Sequence, residues 1–232
     1  MCKMIFFIIF ITSSNYAIAF DVVFRQDGRS PEVIFNDGFH SLGEDDDILS
    51  HVNGESCISG MRNSAFVSTT TDNSVAVEMG QQVRAGDAYW VYSIRPTDTF
   101  YSAYNSLMYA YADSNNNIFR ETAILFQPQL EYMAFGGIVR EQIIGAWLYR
   151  SHGMHQLPER LSYTPNPYYE PAGTDVNQNP YRRYYHPSPS SSLMTCDNCL
   201  NSSSPFISEE KNKFPLKVIW CKRLTAFMLI KK

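Results

Sequence analysis

The chain has 232 residues, 44% of them apolar, with 19 Lys and Arg against 23 Asp and Glu for a net charge of -4. That length holds one domain with a sizeable core plus an extension. Basic residues are scattered apart from Arg182-Arg183 and the last few positions, which excludes a cationic face for nucleic acid.

Met1 to Ala19 reads as a secretory signal, with Lys3 at the positive end, an apolar run from Met4 to Ile11 and a small-x-small cleavage site at Ala17-Ile18-Ala19. The apolar run is too short to span a bilayer. A mature chain is therefore expected from about Phe20, secreted into an oxidising setting, with Cys57, Cys196, Cys199 and Cys221 open to three pairings. Cys196-x-x-Cys199 has no second Cys or His pair at zinc spacing, so disulfide chemistry is expected and a metal is not.

Asp21 to Arg25 is a short apolar strand that delivers Arg25 to its rim. Ser30-Pro31 opens a helix that Gly38 closes. The acidic run Glu44 to Asp47 suits the positive end of a second short helix, which carries Ile48, Leu49, His51 and Val52. A strand from Ser64 runs into four consecutive hydroxyl residues; period-two alternation puts Phe66, Ser68 and Thr70 on one face and Val67, Thr69 and Thr71 on the other. Asp72 caps a helix expected over about 73–83, Ala88 to Ile94 is the next strand, and helices follow over about 102–112 and 117–126. Ile118, Thr122, Leu125 and Phe126 are expected on the packed side of the last helix. Strands over 129–135 and 143–149 complete the core domain, residues 20–150.

Residues 151–204 are rich in Pro, Tyr, Ser and Asn, and the seven prolines from Pro158 to Pro189 rule out a long helix. The segment is either an extended covering stretch or disordered. Phe214 to Ile230 is apolar with interspersed Lys and Arg, either a last strand with a short tail or an amphipathic tail that enters a partner.

Gln129-Leu130-Glu131 sits on the expected strand over 129–135, so Gln129 and Glu131 share a face while Leu130 and Tyr132 pack behind or beside it. One rigidly presented carboxylate suits a reaction that develops positive charge on a sugar, whereas glycoside hydrolysis asks for a second carboxylate where this chain has Gln129. Arg25 offers a planar, permanent cation suited to a diphosphate. Anionic diphosphate, sugar and leaving group together describe a dinucleotide cleaved at its glycosidic bond.

These residues resemble a known family. Phe24-Arg25-Gln26-Asp27-x-Arg29-x-Pro31-Glu32-x-Ile34-Phe35-x-x-Gly38-Phe39, then Gly54-x-Ser56-Cys57, Asn63-Ser64-Ala65-Phe66-Val67-Ser68-Thr69 and Gln129-x-Glu131-Tyr132 resemble the catalytic subunit of pertussis toxin, and are similar to the ADP-ribosylating subunit of typhoid toxin and its enterobacterial relatives. The likeness runs from about Asp21 to Tyr149 in conserved order and spacing.

The resemblance implies an α+β protein of ADP-ribosyltransferase fold, with a mixed, split β-sheet core, flanking short helices and a C-terminal covering loop and tail. It implies a mono-ADP-ribosyltransferase that uses NAD as substrate. Arg25 would organise the site and the NAD phosphates, Ser68 with neighbouring Thr69 the nicotinamide ribose, and Glu131 the ribose 2'-hydroxyl and the developing cation. His51 would assist the acceptor nucleophile and Gln129 would bear on acceptor choice, away from arginine and toward Cys, Asn or Lys. Leu42 stands where the pertussis subunit has a tryptophan near bound NAD, so stacking there is lost. Cys57 would pair with Cys196 or Cys199, holding the covering segment until reduction, and the tail would enter a pentameric sugar-binding B subunit. The target implied is a host protein such as a heterotrimeric G-protein α subunit, in the host cytosol. Two alternatives accompany it: a catalytically weak adaptor that links the pentamer to another effector, and an NAD glycohydrolase.

Overall fold

The computed structural model describes residues 22–54 and 63–185. The signal-like segment, all the cysteines and the apolar tail lie outside the described residues, and with them the expected pairing of Cys57 and the fate of Phe214 to Ile230.

Among the described residues a seven-stranded sheet runs in the order β5-β6-β3-β1-β4-β8-β9. Its strands are β1 (Val23–Asp27), β3 (Phe66–Thr70), β4 (Ala88–Ile94), β5 (Phe100–Ser102), β6 (Glu131–Phe135), β8 (Ile143–Arg150) and β9 (Glu159–Pro165). Every pairing between them is antiparallel; parallel pairing is confined to two isolated bridges, Asp45 with Ser64 and Tyr101 with Asn177. A two-stranded ribbon joins β2 (Phe39–His40) to β7 (Gly137–Ile138).

The helices form where caps and periodicity place them. α1 (Pro31–Asp37) begins behind extended Ser30, with Pro31 in the first turn, where a missing N–H costs nothing. It ends at Gly38, whose φ of 74° no side chain adopts easily and whose Cβ would stand 2.3 Å from the Ile138 carbonyl. That tight exit turns the chain directly into β2 and sets Phe39 in the core. α2 (Ile48–Val52) is capped by Asp47, which accepts from Leu49 N at 3.2 Å. α3 (Asn73–Gly80) is capped by Asp72; it stops three residues short of the expected Val83, at Gly80, against which the Tyr89 ring packs too closely for a Cβ. α4 (Ala103–Ser114) and α5 (Asn117–Phe126) are capped by Ser102 and Asn116. Thr122 is buried and Ile118 and Phe126 pack against the cluster as expected, while Phe119 and Ala123, not foreseen, are the more deeply buried residues of α5, with Phe119 in the core beneath α4.

Among the described residues the three larger packed clusters cover the sheet. Val23, Phe35, Phe39, Tyr92 and Ile143 lie with α1; Ile48, Leu49, Phe66, Leu107, Phe119 and Met133 lie with α2, α4 and α5; Ala76, Tyr89, Val91 and Tyr149 lie with α3.

The strand expected over 129–135 is shorter. Pro128 sits within a 3-10 turn over Gln127–Gln129, Leu130 takes a left-handed φ of 48°, and β6 begins only at Glu131. Gln129 is therefore not a strand partner of Glu131, since the turn interrupts the period-two register that would align them.

Strand β9 adds to the outer edge of β8, well exposed. Beyond it an extended strap is tied down by side-chain and backbone hydrogen bonds. Asn166 donates to the carbonyls of Arg140 and Ile143, Thr174 accepts from Arg95, and Asn177 N donates to Phe100 O at 2.9 Å. Val176 and Tyr181 are buried. The strap thus covers the edge at β5 with backbone and apolar contacts, as an unpaired edge requires.

Candidate active site

The site forms where the sheet splits. β1 and β3 are aligned only at Phe24 and Thr70, so the carbonyl of Ser68 lacks a ladder partner from β1. Arg25 supplies one: its Nη1 donates to Ser68 O at 2.9 Å. A guanidinium here replaces a strand-to-strand hydrogen bond, which leaves a seam without stranding a buried carbonyl.

Arg25 is 2% exposed. Its Nη2 lies 3.5 Å from Asp27 Oδ2, two residues along the same face of β1, and the Phe39 ring packs 5.1 Å from the guanidinium carbon. Asp27 also accepts from Arg29 through Nε at 3.1 Å and Nη2 at 3.0 Å, and Arg29 stands over the same ring at 5.4 Å. Burial pulls the Arg25 guanidinium below its ordinary value, and Asp27 beside it pulls back; arginine keeps its charge at any physiological pH. The outcome is two guanidinium groups fixed by one fully buried carboxylate and one aromatic face.

On the other side of β3, Thr70 is aligned with Glu131 and Ser68 with Met133. Phe66, Ser68, Thr70 and Glu131 therefore share a face, as the alternation predicts. His51 reaches that face from α2: Nε2 lies 2.9 Å from Ser68 Oγ and 3.3 Å from Glu131 Oε1, while Nδ1 lies 2.7 Å from Ser64 Oγ. The His51 ring packs 5.1 Å from Phe66. Three segments distant in sequence thus meet at one imidazole, which neither α2 nor β3 could hold in place alone.

The remaining expected residues lie around this junction. Thr69 points to the opposite face and donates to its cross-strand partner's carbonyl, Tyr132 O, at 2.7 Å. Gln129 ends the 3-10 turn, its carbonyl accepting from Thr70 Oγ1 at 2.7 Å, so its backbone is fixed beside Glu131 while its side chain is half-buried. Leu42 is 37% exposed, and its N–H donates to Ser64 O at 2.9 Å, which places it on the loop flanking the His51 contact. The structure brings Arg25, Ser68, His51 and Glu131 together and sets Thr69, Gln129 and Leu42 at the margin.

Asp27, Phe39 and Ser64 were not assigned roles from sequence. Asp27 and Ser64 had a signal: Asp27 is two residues from Arg25 and Ser64 shares even-number parity with Phe66 and Ser68. Phe39 had none, because only the β2–β7 ribbon carries it beneath Arg25.

The strap ends against the same helix. Tyr181 donates to Asp46 Oδ2 at 2.8 Å, Arg183 to the same oxygen at 3.2 Å, and Tyr185 N to Asp47 Oδ1 at 3.4 Å, all at the start of α2. The Tyr181 ring meets Phe66 edge-on at 5.0 Å. Burial pushes the Tyr181 phenol up from its ordinary value and Asp47 up from the usual carboxylate range.

A family model described as "Pertussis toxin, subunit 1" matches residues 19–154. The pertussis toxin subunit 1 homolog of Bordetella bronchiseptica is 31% identical over 175 residues, covering 68% of this chain; the chain spans 64% of that relative's length. The solved structure of EcPltA superposes with a TM-score of 0.64 at 28% identity, covering 72% of this chain and 98% of EcPltA. Full-length CARDS toxin superposes with a TM-score of 0.59 at 21% identity, covering 70% of this chain and 31% of that one, a likeness of fold.

Proposed function

The chain belongs to the pertussis toxin subunit 1 family and has the ADP-ribosyltransferase fold of its toxin neighbours, and from that premise we propose that it transfers ADP-ribose from NAD to a host protein. The observation that carries this reading is the junction of His51, Ser68 and Glu131 beside the split that Arg25 spans.

In the reaction the bond between nicotinamide nitrogen and ribose carbon breaks, nicotinamide leaves with the electron pair, and an acceptor atom bonds to that carbon with loss of its proton. Glu131 holds the ribose 2'-hydroxyl and stabilises the cation; a carboxylate fixed at the first residue of β6 needs little reorganisation as charge develops. Ser68 and His51 keep that carboxylate in register, His51 assisting the acceptor through its contact with Glu131. The Arg25 and Arg29 pair suits the diphosphate, with Arg29 the more exposed of the two. Thr69 supports the ribose site by locking β3 to β6.

Gln129 offers a neutral amide beside Glu131, which favours Cys, Asn or Lys over arginine as acceptor, and a heterotrimeric G-protein α subunit as target. Residues 20–150 form the catalytic core, and residues 151–232 the covering segment and docking tail. Residues 1–19 direct secretion through the periplasm; Cys57 pairs with Cys196 or Cys199 until the host cytosol reduces the bond; the apolar tail enters a pentameric sugar-binding subunit. No metal takes part.

Reduced full chain is incubated with NAD labelled in its adenylate and with host-cell lysate. A labelled protein band is expected. Release of free ADP-ribose alone assigns the chain as an NAD glycohydrolase, and no turnover of NAD at all assigns it as an adaptor; either result overturns the proposal.

A further inference from the structure

The surroundings of His51 decide which of its nitrogens carries the proton. Nε2 faces the Glu131 carboxylate at 3.3 Å and Ser68 Oγ at 2.9 Å. An ionised carboxylate only accepts, so Nε2 is the N–H nitrogen of the neutral ring. Nδ1 is then the acceptor, and the oxygen 2.7 Å from it is Ser64 Oγ. That hydroxyl has one proton to give and two lone pairs. Phe66 N donates to it at 3.1 Å, and its other outlet, the Phe66 carbonyl, lies 3.5 Å away. The short contact to Nδ1 takes the proton.

We infer that Ser64 is a positioning residue for the transfer: by donating to Nδ1 it holds neutral His51 in the Nε2–H tautomer, so the ring presents a donor, not a base, to Glu131 and Ser68. This rests on Glu131 being the carboxylate that stabilises the cation. The backbone is built to keep Ser64 in place. Ser64 is fully buried, pairs as a parallel bridge with Asp45, and its carbonyl accepts the N–H groups of Leu42 and Gly43. The loop leading into α2 and the approach to β3 therefore fix both ends of the Ser64–His51 contact.

Removing the hydroxyl takes away the donor at Nδ1, so Glu131 alone holds the Nε2–H form and a fraction of the rings protonates at Nδ1. In that fraction the Nε2 lone pair faces the Glu131 carboxylate, two acceptors at hydrogen-bond distance, and one of them must move. The diphosphate end of the site, with Arg25 and Arg29, is untouched, so kcat suffers more than the KM for NAD. Ser64 does not touch substrate in this arrangement; it acts through the imidazole.

The test uses full chain labelled with 15N-histidine and long-range proton–nitrogen correlation of the imidazoles at a pH above their titration. The chain has five histidines, and His51→Gln identifies the resonance. Wild-type protein is expected to show the Nε2–H tautomer; Ser64→Ala is expected to populate Nδ1–H and to lose about tenfold or more in kcat, in line with misplacement of a positioned group. Ser64→Cys and Ser64→Thr, which keep a donor, are expected to recover the Nε2–H form and part of the rate. An Nδ1–H tautomer in wild-type protein overturns the inference even if Ser64→Ala fails to fold. So does a folded Ser64→Ala variant with wild-type kcat and an unchanged spectrum. Wild-type protein that shows Nε2–H yet turns over no NAD overturns the proposed function instead, and leaves the Ser64 contact without a catalytic role.

Discussion

On one side of the sheet β4 is aligned with β8 from Ala88 and Arg150 to Ile94 and Ile143, and β1 with β4 from Val23 and Ile94 to Asp27 and Trp90. On the other, β1 and β3 are aligned at Phe24 and Thr70 alone. The regular half is filled by aromatic packing: Tyr89 stacks on Tyr149 at 5.6 Å, and Trp147 meets Tyr163 at 5.0 Å with Arg160 over its ring. The split is filled by Arg25, Asp27, Ser68, His51 and Glu131. One half satisfies its backbone with backbone and spends its side chains on apolar contact. The other satisfies backbone with side chains, and the polar groups this requires are the ones on which the proposed reaction with NAD draws. A seam of that kind is costly to bury unless every group is hydrogen-bonded. Stability and chemistry should accordingly separate along it.

Glu131→Asp is expected to make the largest change. Withdrawing the carboxylate by one methylene should reduce nicotinamide release by about a thousandfold, roughly 4 kcal/mol, with the melting temperature unchanged. Initial rates and thermal unfolding on one preparation check this, and near wild-type turnover breaks the assignment of chemistry to the split. Tyr89→Ala, in the regular half, should do the reverse: about 3–5 kcal/mol of stability lost in denaturant titration, with specific activity of the folded fraction kept. Arg25→Lys belongs to both halves of the contrast. An ammonium cannot serve Ser68 O, Asp27 and a diphosphate at once, so both activity and stability fall, the latter by about 1–3 kcal/mol; a stability equal to wild type would show that the guanidinium is not what closes the seam.

Tyr181→Phe removes the hydroxyl that ties the strap to Asp46 and keeps the ring against Phe66. A loss of about 0.5–1.5 kcal/mol is expected in unfolding. The smallest effect concerns Asp47. Burial raises its carboxyl above the ordinary value, so the folded chain binds this proton more tightly than the unfolded chain does. Its contribution to stability is full below the unfolded value and declines as pH rises from there through the folded one. Asp47→Asn should flatten that decline in unfolding measured against pH while leaving α2 capped, since asparagine caps equally well. A steeper decline would place the origin of the slope elsewhere.

Local signals located most elements. Ser30-Pro31 and Gly38 bracketed α1, the acidic run ending at Asp47 led into α2, Asp72 capped its helix as expected, and Ala88 to Ile94 is a strand over its whole predicted length. The short strands β2, β5 and β7 were not legible, because two or three residues carry no period and form only where a partner strand is already present. The start of β6 was missed for a different reason. Gln129 continues the alternation in sequence, but Pro128 and the left-handed Leu130 bend the chain before pairing begins.

The sequence by itself determined which residue types were available for the chemistry: a planar cation at Arg25, a hydroxyl at Ser68 behind an apolar anchor, an imidazole at His51 and a single carboxylate at Glu131. Their order and spacing also determined the family. Only the tertiary structure decided that these groups meet, because Arg25, His51, Ser68 and Glu131 come from four elements and no local period links them. It also decided how Ser64 to Asp72 acts. Alternation set Ser68 and Glu131 on one face, while the single aligned pair between β1 and β3 opened the sheet so that Arg25 could cross to the Ser68 carbonyl. The physical reason is that side-chain alternation is a property of one strand, whereas a missing ladder bond is a property of two.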